Sequence, residues 1–229
     1  MNYAMFPESN GWAITTYFLD TEYEKEFGEK HYGIDMAYQR KHYSGVRYIY
    51  AIADGVISAV QKSNGKTANA IQIKHYDLIA GKMVITRYYH LASFADGIKK
   101  GKEVKKGDII GVEGKTGYAT GSHLHFEFWI CPTDYKFNYR EVAKYAVDPL
   151  DYLYLHDGQV CVHDPKGKVK TVPKDDYEAL YNAEVAKNKA LTAENEELKA
   201  QIEKLSYSNN TLTAKLNEIS DALSILRNY

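Results

Sequence analysis

From Tyr177 to the end of the chain there is neither glycine nor proline, and an aliphatic residue recurs at every seventh position: Leu191, Leu198, Leu205, Leu212, Ile219 and Leu226. Tight turns draw on those two missing residue types, so this stretch is unsuited to a compact β-fold and reads as one long helix. With the repeating residues at d positions, Asn188, Asn195, Ile202, Asn209, Leu216 and Leu223 fall at a. A seam sustained over six heptads predicts an α-helical coiled coil over 176–229, with a homodimer or other homo-oligomer formed through 177–226. Asparagine at a positions weakens such a seam but fixes its register and favours a parallel pair, in which Glu194 at g meets Lys199 at e of the other helix.

The part before this stretch is built differently, and it holds all 16 glycines and all 5 prolines. Short strand-like runs, "VRYIYAIADGVISAV", "NAIQIKHY", "KMVITRYYHL" and "DIIGVEG", are separated by turn signals at Asn64-Gly65, Ala80-Gly81, Asp96-Gly97 and Gly107-Asp108. This spacing predicts a mainly β, antiparallel domain over 1–155. The first run reads as two strands turning at Asp54-Gly55. Residues 156–175, "HDGQVCVHDPKGKVKTVPKD", read as a linker with one short hairpin.

Bulk properties narrow the partners. A formal net charge of −1 gives no electrostatic case for nucleic acid. No apolar run approaches the roughly 18 residues of a membrane span. The N-terminal stretch lacks a basic region followed by an apolar one, so the expectation is no secretory signal and a cytoplasmic start in the producing cell until release. Cys131 and Cys161 form no CxxC pair, which argues for two reduced thiols and against a thiolate zinc site. The 21 tyrosines suit a peptide or carbohydrate groove, but they suit strands equally well.

The chemistry-bearing residues begin with "HLHFEFWI", 123–130. On a strand, His123, His125, Glu127 and Trp129 share one face, and Leu124, Phe126, Phe128 and Ile130 share the other. Two imidazoles on one face are either half-buried strand residues or groups aimed together into a cleft. "EKHYGIDMAY", 29–38, adds His31 and Asp35 four residues apart around Gly33. These two, with one histidine of the HxH pair, make three ligands suited to Zn²⁺ and leave a fourth position open, the pattern of a catalytic site. His90, in "TRYYHLASF", ends a strand-like run and is a candidate catalytic imidazole outside the ligand set.

Taken in order, "HYGIDMAY", "AIADGVISAV", "KKGDIIGVEGKTG", "TGSHLHFEF" and "AVDPLDYL" resemble the M23 family of zinc metallopeptidases, the lysostaphin-like or LytM-like peptidoglycan endopeptidases. The resemblance covers about residues 10–155. It implies a LytM-type antiparallel β-platform, related to the duplicated hybrid motif, whose groove holds Zn²⁺. By position it implies His31, Asp35 and His125 as metal ligands. It further implies His123 as general base and His90 as the histidine that stabilises the transition state. The implied substrate is the peptide part of bacterial peptidoglycan, and a phage or prophage endolysin fits that setting. Segment 37–50 is longer and richer in tyrosine than in many relatives, and His42 within it reads as a groove-wall or surface residue. Three rivals remain open: a silent scaffold that recruits another hydrolase through its helix, a phosphotransfer-type carrier domain that would use the paired histidines, and a zinc amidase.

Overall fold

The computed structural model describes residues 4–8, 10–39, 41, 44–156, 159–172 and 174–227. The chain divides into two compact units, Met1–Val172 and Pro173–Tyr229. In chain order the first unit opens with β1 (Ala4–Met5), β2 (Asn10–Thr16) and α1 (Thr21–Phe27). It continues with β3 (Ile34–Tyr38), β4 (Tyr48–Tyr50), β5 (Gly55–Gln61), β6 (Ala70–His75) and β7 (Met83–Tyr89). Then come β8 (Ser93–Phe94), β9 (Glu103–Val104), β10 (Ile109–Val112) and β11 (Leu124–Cys131). The unit closes with α2 (Val142–Tyr145), β12 (Ala146–Val147), β13 (Leu153–Leu155), β14 (Val160–His163) and β15 (Lys170–Thr171).

One nine-stranded sheet dominates, in the order β14-β2-β3-β11-β7-β6-β5-β9, with β12 also paired to β11. Two three-stranded sheets, β4-β10-β8 and β1-β13-β15, stand beside it. Pairing along the large sheet from β2 to β9 is antiparallel, as the spacing of the strand-like runs predicts.

Strand β11 lies near the middle of this sheet, and its alternation organises the interior. Leu124, Phe126 and Phe128 are fully buried in the main core beside Ile34, Met36 and Tyr88. On the opposite face Trp129 packs with Met83, Ile85 and Cys131 in a smaller core, which Tyr135, Phe137, Val142 and Tyr145 cover. A one-residue slip would exchange the two sets, so burial on both faces fixes the register. Truncating either phenylalanine would cost about 3–5 kcal/mol.

Two expectations change. Asp54-Gly55 does not turn a hairpin, because β4 pairs with β10 while β5 pairs with β6 and β9. The connection instead runs through the core as buried Ala51, Ile52 and Ala53. The Asp54 carboxylate accepts from the Lys106 amide at 2.8 Å and pairs with Lys105 Nζ at 2.9 Å. Gly55 answers a close approach, since a Cβ there would lie 2.6 Å from the Lys74 carbonyl. Segment 156–175 also departs from a linker with a local hairpin. Its strands do not pair with each other: β14 runs parallel to β2, and β15 runs parallel to β13. The buried Gln159 amide seats it by donating to the carbonyls of Phe6 and Glu8 and accepting from the Phe6 amide. Buried backbone groups near the N-terminus thereby find their partners.

The second unit is α3 (Lys174–Arg227), a single helix of 54 residues. It spans about 80 Å at 1.5 Å per residue. Among the described residues no helix is long and apolar enough to cross a membrane.

Candidate metal centre

His31, Asp35 and His125 come together from three places in the sequence. Helix α1 is capped by the Asp20 carboxylate, which accepts from the amides of Glu22 and Tyr23, and it ends at Gly28 with φ +75°. That left-handed residue turns the chain toward His31. Asp35 lies on β3 directly opposite His125 on β11, so the strand register alone puts both side chains on one face. His31 Nε2 lies 3.0 Å from Asp35 Oδ1 and 2.9 Å from His125 Nδ1, and the Asp35–His125 separation is 2.8 Å. The three side chains form a cluster able to hold a metal ion.

Hydrogen-bond partners assign the tautomers. The Tyr17 carbonyl, which can only accept, lies 2.8 Å from His31 Nδ1. The proton is therefore on Nδ1, and Nε2 presents a lone pair. His125 Nε2 faces Glu127 Oε1 at 3.4 Å, so in the neutral ring the proton sits there and Nδ1 presents a lone pair. Two nitrogen lone pairs and a carboxylate oxygen thus converge within about 3 Å of one another. Such an arrangement repels itself unless a positive charge is shared, and two imidazoles with one carboxylate match the donors Zn²⁺ prefers. In the metal-free chain a proton on His125 supplies that positive charge. Burial works against charge on Asp35, but the adjacent His125 and His31 rings outweigh it and hold the carboxyl well below the usual range. Burial also works against charge on His125, yet the Asp35 and Glu127 carboxylates push it up to about 9.

His90 and His123 stand beside this cluster. Their ring centroids are 4.6 Å apart, and the His90 ring is 6.3 Å from that of His125. His90 follows β7 with φ +64°, a conformation a non-glycine residue adopts at some cost and one found often at functional sites. Its Nδ1–H donates to the Thr116 carbonyl at 2.9 Å. His123 Nδ1–H donates to the Gly121 carbonyl at 3.0 Å, and its Nε2 lies 3.9 Å from Asp35 Oδ1. When neutral, both rings therefore offer Nε2 as an acceptor. Burial above all pushes His90 down to about 4, with the neighbouring His123 and His125 adding to the effect, so it is neutral at pH 7. At that pH its Nε2 accepts a hydrogen bond and cannot donate one. His42 lies outside the described residues.

Sequence reasoning assigned no function to the supports of this centre. Tyr17 acts through its carbonyl, which no side-chain pattern reveals. Its hydroxyl donates to Asp164 Oδ1 at 2.6 Å and accepts from the Lys166 amide, so the segment near residue 165 braces the residue that orients His31. Glu113 is buried and accepts from Ser122 Oγ at 2.7 Å, the Tyr38 amide at 3.0 Å and Arg47 Nη1 at 2.9 Å. It ties the loop ahead of His123 to β3. Gly33 has a steric explanation, because a Cβ there would lie 2.5 Å from the Phe126 carbonyl and 2.9 Å from His125 Nε2. Gly33→Ala is expected to cost about 1–3 kcal/mol as overpacking and to weaken metal binding by displacing His125. Thermal melts and metal titrations of the variant check both effects.

Residues 29–143, half of the chain, match the family model for peptidase family M23. Over 79 residues the chain is 37% identical to peptidoglycan DD-endopeptidase ShyA of Vibrio cholerae, covering 34% of this chain and 16% of that protein. Over 101 residues it is 37% identical to glycyl-glycine endopeptidase ALE-1 of Staphylococcus capitis, covering 44% of this chain and 25% of that one. The aligned stretch thus spans a quarter or less of either relative. A solved structure of the SpoIIQ-SpoIIIAH pore-forming complex shares the fold at TM-score 0.50 and 20% identity, covering 67% of this chain and 92% of that one. On the extent of the family match, and with a His-Asp-His cluster inside the matched segment, the chain belongs to peptidase family M23.

Proposed function

We propose that the chain is a zinc-dependent endopeptidase that hydrolyses peptide bonds in the stem or cross-bridge of bacterial peptidoglycan. The observation that carries this reading is the convergence of three electron-pair donors, from His31, Asp35 and His125, next to two histidines whose Nε2 atoms are free to accept a proton. The printed names of two relatives, a DD-endopeptidase and a glycyl-glycine endopeptidase, support peptidoglycan peptide as the substrate class.

Zinc bound by these three residues supplies a Lewis acid that polarises a carbonyl and lowers the pKa of a coordinated water. The protein's own part is proton handling. His123 Nε2 takes the proton of the attacking water as the C–O bond forms, then returns it to the amine as the C–N bond breaks. Its Nδ1–H stays on the Gly121 carbonyl throughout, which keeps the ring aimed. His90 offers a second acceptor nitrogen and becomes a hydrogen-bond donor to the developing oxyanion only after it gains a proton. The test is digestion of purified peptidoglycan from several bacteria, with mass spectrometry of the fragments. A new free amine within the stem or bridge is expected. Products cut between sugar and peptide would mean an amidase, and no products from any wall type would favour the silent scaffold.

Metal uptake carries a proton signature. His125, at about 9 in the metal-free chain, is an imidazolium at pH 7 and must lose its proton before Nδ1 can act as a ligand. Zinc titration at pH 7 is therefore expected to release about one proton per ion, and the release should fade as the pH rises past about 9. Calorimetry in buffers of different ionisation enthalpy measures it.

The helix adds a second proposal, that α3 pairs with a second copy as a parallel coiled coil. Leu191, Leu198, Ile202, Leu205, Leu212, Leu216, Ile219 and Leu223 are 46–70% exposed, and all of them lie on the a/d seam. A seam this long is costly to leave in water. Sedimentation equilibrium at micromolar concentration is expected to give the mass of a dimer. A monomer would overturn this proposal and leave the peptidase reading intact.

A further inference from the structure

Glu127 lies two residues beyond His125 on β11, and the two-residue period of a strand puts both on the face that carries the metal cluster. It is 1% exposed. Every polar group that reaches its carboxylate is a donor. Oε1 faces His125 Nε2 at 3.4 Å and the Tyr139 hydroxyl at 3.4 Å, while Oε2 accepts from Trp129 Nε1 at 2.8 Å and Arg87 Nη1 at 3.3 Å. Arg87 is directly opposite on β7. Its guanidinium carbon lies 4.5 Å from the centre of the Tyr89 ring, 4.7 Å from Phe137 and 4.7 Å from Tyr139.

The two oxygens have different tasks. Oε2 is engaged by Arg87 and Trp129, which fix the carboxylate in rotation. Oε1 is thereby turned toward His125, where it can only accept. An imidazole whose Nε2 faces an acceptor keeps its proton on Nε2, and its Nδ1 is then a lone pair. Nδ1 is the atom that points at His31 Nε2 and Asp35 Oδ1. With a cation in the cluster, the opposite tautomer would aim a proton at that cation and a lone pair at the Glu127 carboxylate, unfavourable at both ends; without one, a proton on Nδ1 is shared with Asp35 Oδ1 at 2.8 Å. The stacked rings restrain Arg87 without competing for its hydrogen bonds.

We infer that Glu127 is a positioning residue of the metal centre: held by Arg87 and Trp129, it fixes the His125 tautomer that presents Nδ1 to the metal. This inference rests on the zinc reading above. A carboxylate serving only to neutralise Arg87 would have no bearing on His125.

The first measurement needs no variant. A long-range ¹⁵N–¹H correlation spectrum of the zinc-loaded wild-type chain is expected to place the His125 proton on Nε2 and the metal on Nδ1. A proton on Nδ1 overturns the inference. The second uses Glu127→Gln, which keeps the volume. The amide must point its NH₂ group either at Arg87 and Trp129 or at His125, so a donor meets a donor in either orientation. Competition with a chromophoric chelator is expected to show zinc affinity reduced about 10–100-fold, the range found for partners of metal-bound histidines. Affinity within about twofold of wild type would overturn the inference, because a residue acting only on stability leaves the folded site's affinity unchanged. If the variant does not fold, the wild-type spectrum decides. A wild-type chain that binds no zinc would instead remove the metallopeptidase reading itself, a result distinct from zinc bound through the wrong nitrogen.

Discussion

Replacing Asp35 by alanine is expected to abolish zinc retention and cell-wall hydrolysis in one and the same sample. Asp35 Oδ1 is the atom both imidazoles share, 2.8 Å from His125 Nδ1 and 3.0 Å from His31 Nε2. Without it, two lone pairs 2.9 Å apart face each other with no negative charge to hold a cation between them. The loss should exceed the about 10–100-fold that outer partners of a metal site contribute. The strand itself should tolerate the change, because the adjacent Ile34 and Met36 point into the main core and continue to hold β3 in register. Zinc content after gel filtration, measured beside the turbidity of a wall suspension, checks both halves. A variant that keeps one zinc per chain would remove Asp35 from the ligand set.

The second large effect separates binding from chemistry. His123→Ala is expected to retain zinc and to lower turnover by about 10²–10⁴-fold, the usual contribution of a positioned acid–base group. His123 reaches the cluster only at 3.9 Å from Asp35 Oδ1, so its removal leaves the three ligands as they are. The His90 and His123 rings are 4.6 Å apart, and in the proposed roles both act on the same hydrolytic step. The His90→Ala/His123→Ala double variant should therefore lose less than the product of the two single losses. Full additivity would mean that the rings act on separate steps. Near-normal turnover in His123→Ala would exclude it as the general base.

Much of this arrangement can be read along the chain because it follows from period and punctuation. The alternation in "HLHFEFWI" predicts which side chains enter the core, and burial of Leu124, Phe126 and Phe128 against a site-facing His125 and Glu127 follows that pattern. The absence of glycine and proline after Tyr177 predicts the long helix. What escaped reading is non-local or carried by the backbone. The Tyr17 carbonyl orients His31 without any signal in its side chain. Asp54-Gly55 has the composition of a tight hairpin, yet Ile49, Ala51 and Ile52 gain more by entering the core than a hairpin would offer them. The β14 strand pairs with β2 more than 140 residues away, and the Gln159 amide beside it holds the carbonyls of Phe6 and Glu8. Parity puts Glu127 on the face of His125, but its donors come from β7, β11 and the segment after it, which only the fold brings together.

The most direct measurement is zinc content of the purified intact chain together with turbidity loss of a cell-wall suspension, before chelation, after it, and after zinc is restored. The proposed function predicts one zinc per chain, lysis lost with the metal and lysis regained with it. A chain that lyses walls equally well when stripped of metal, or that holds no zinc at all, would contradict it.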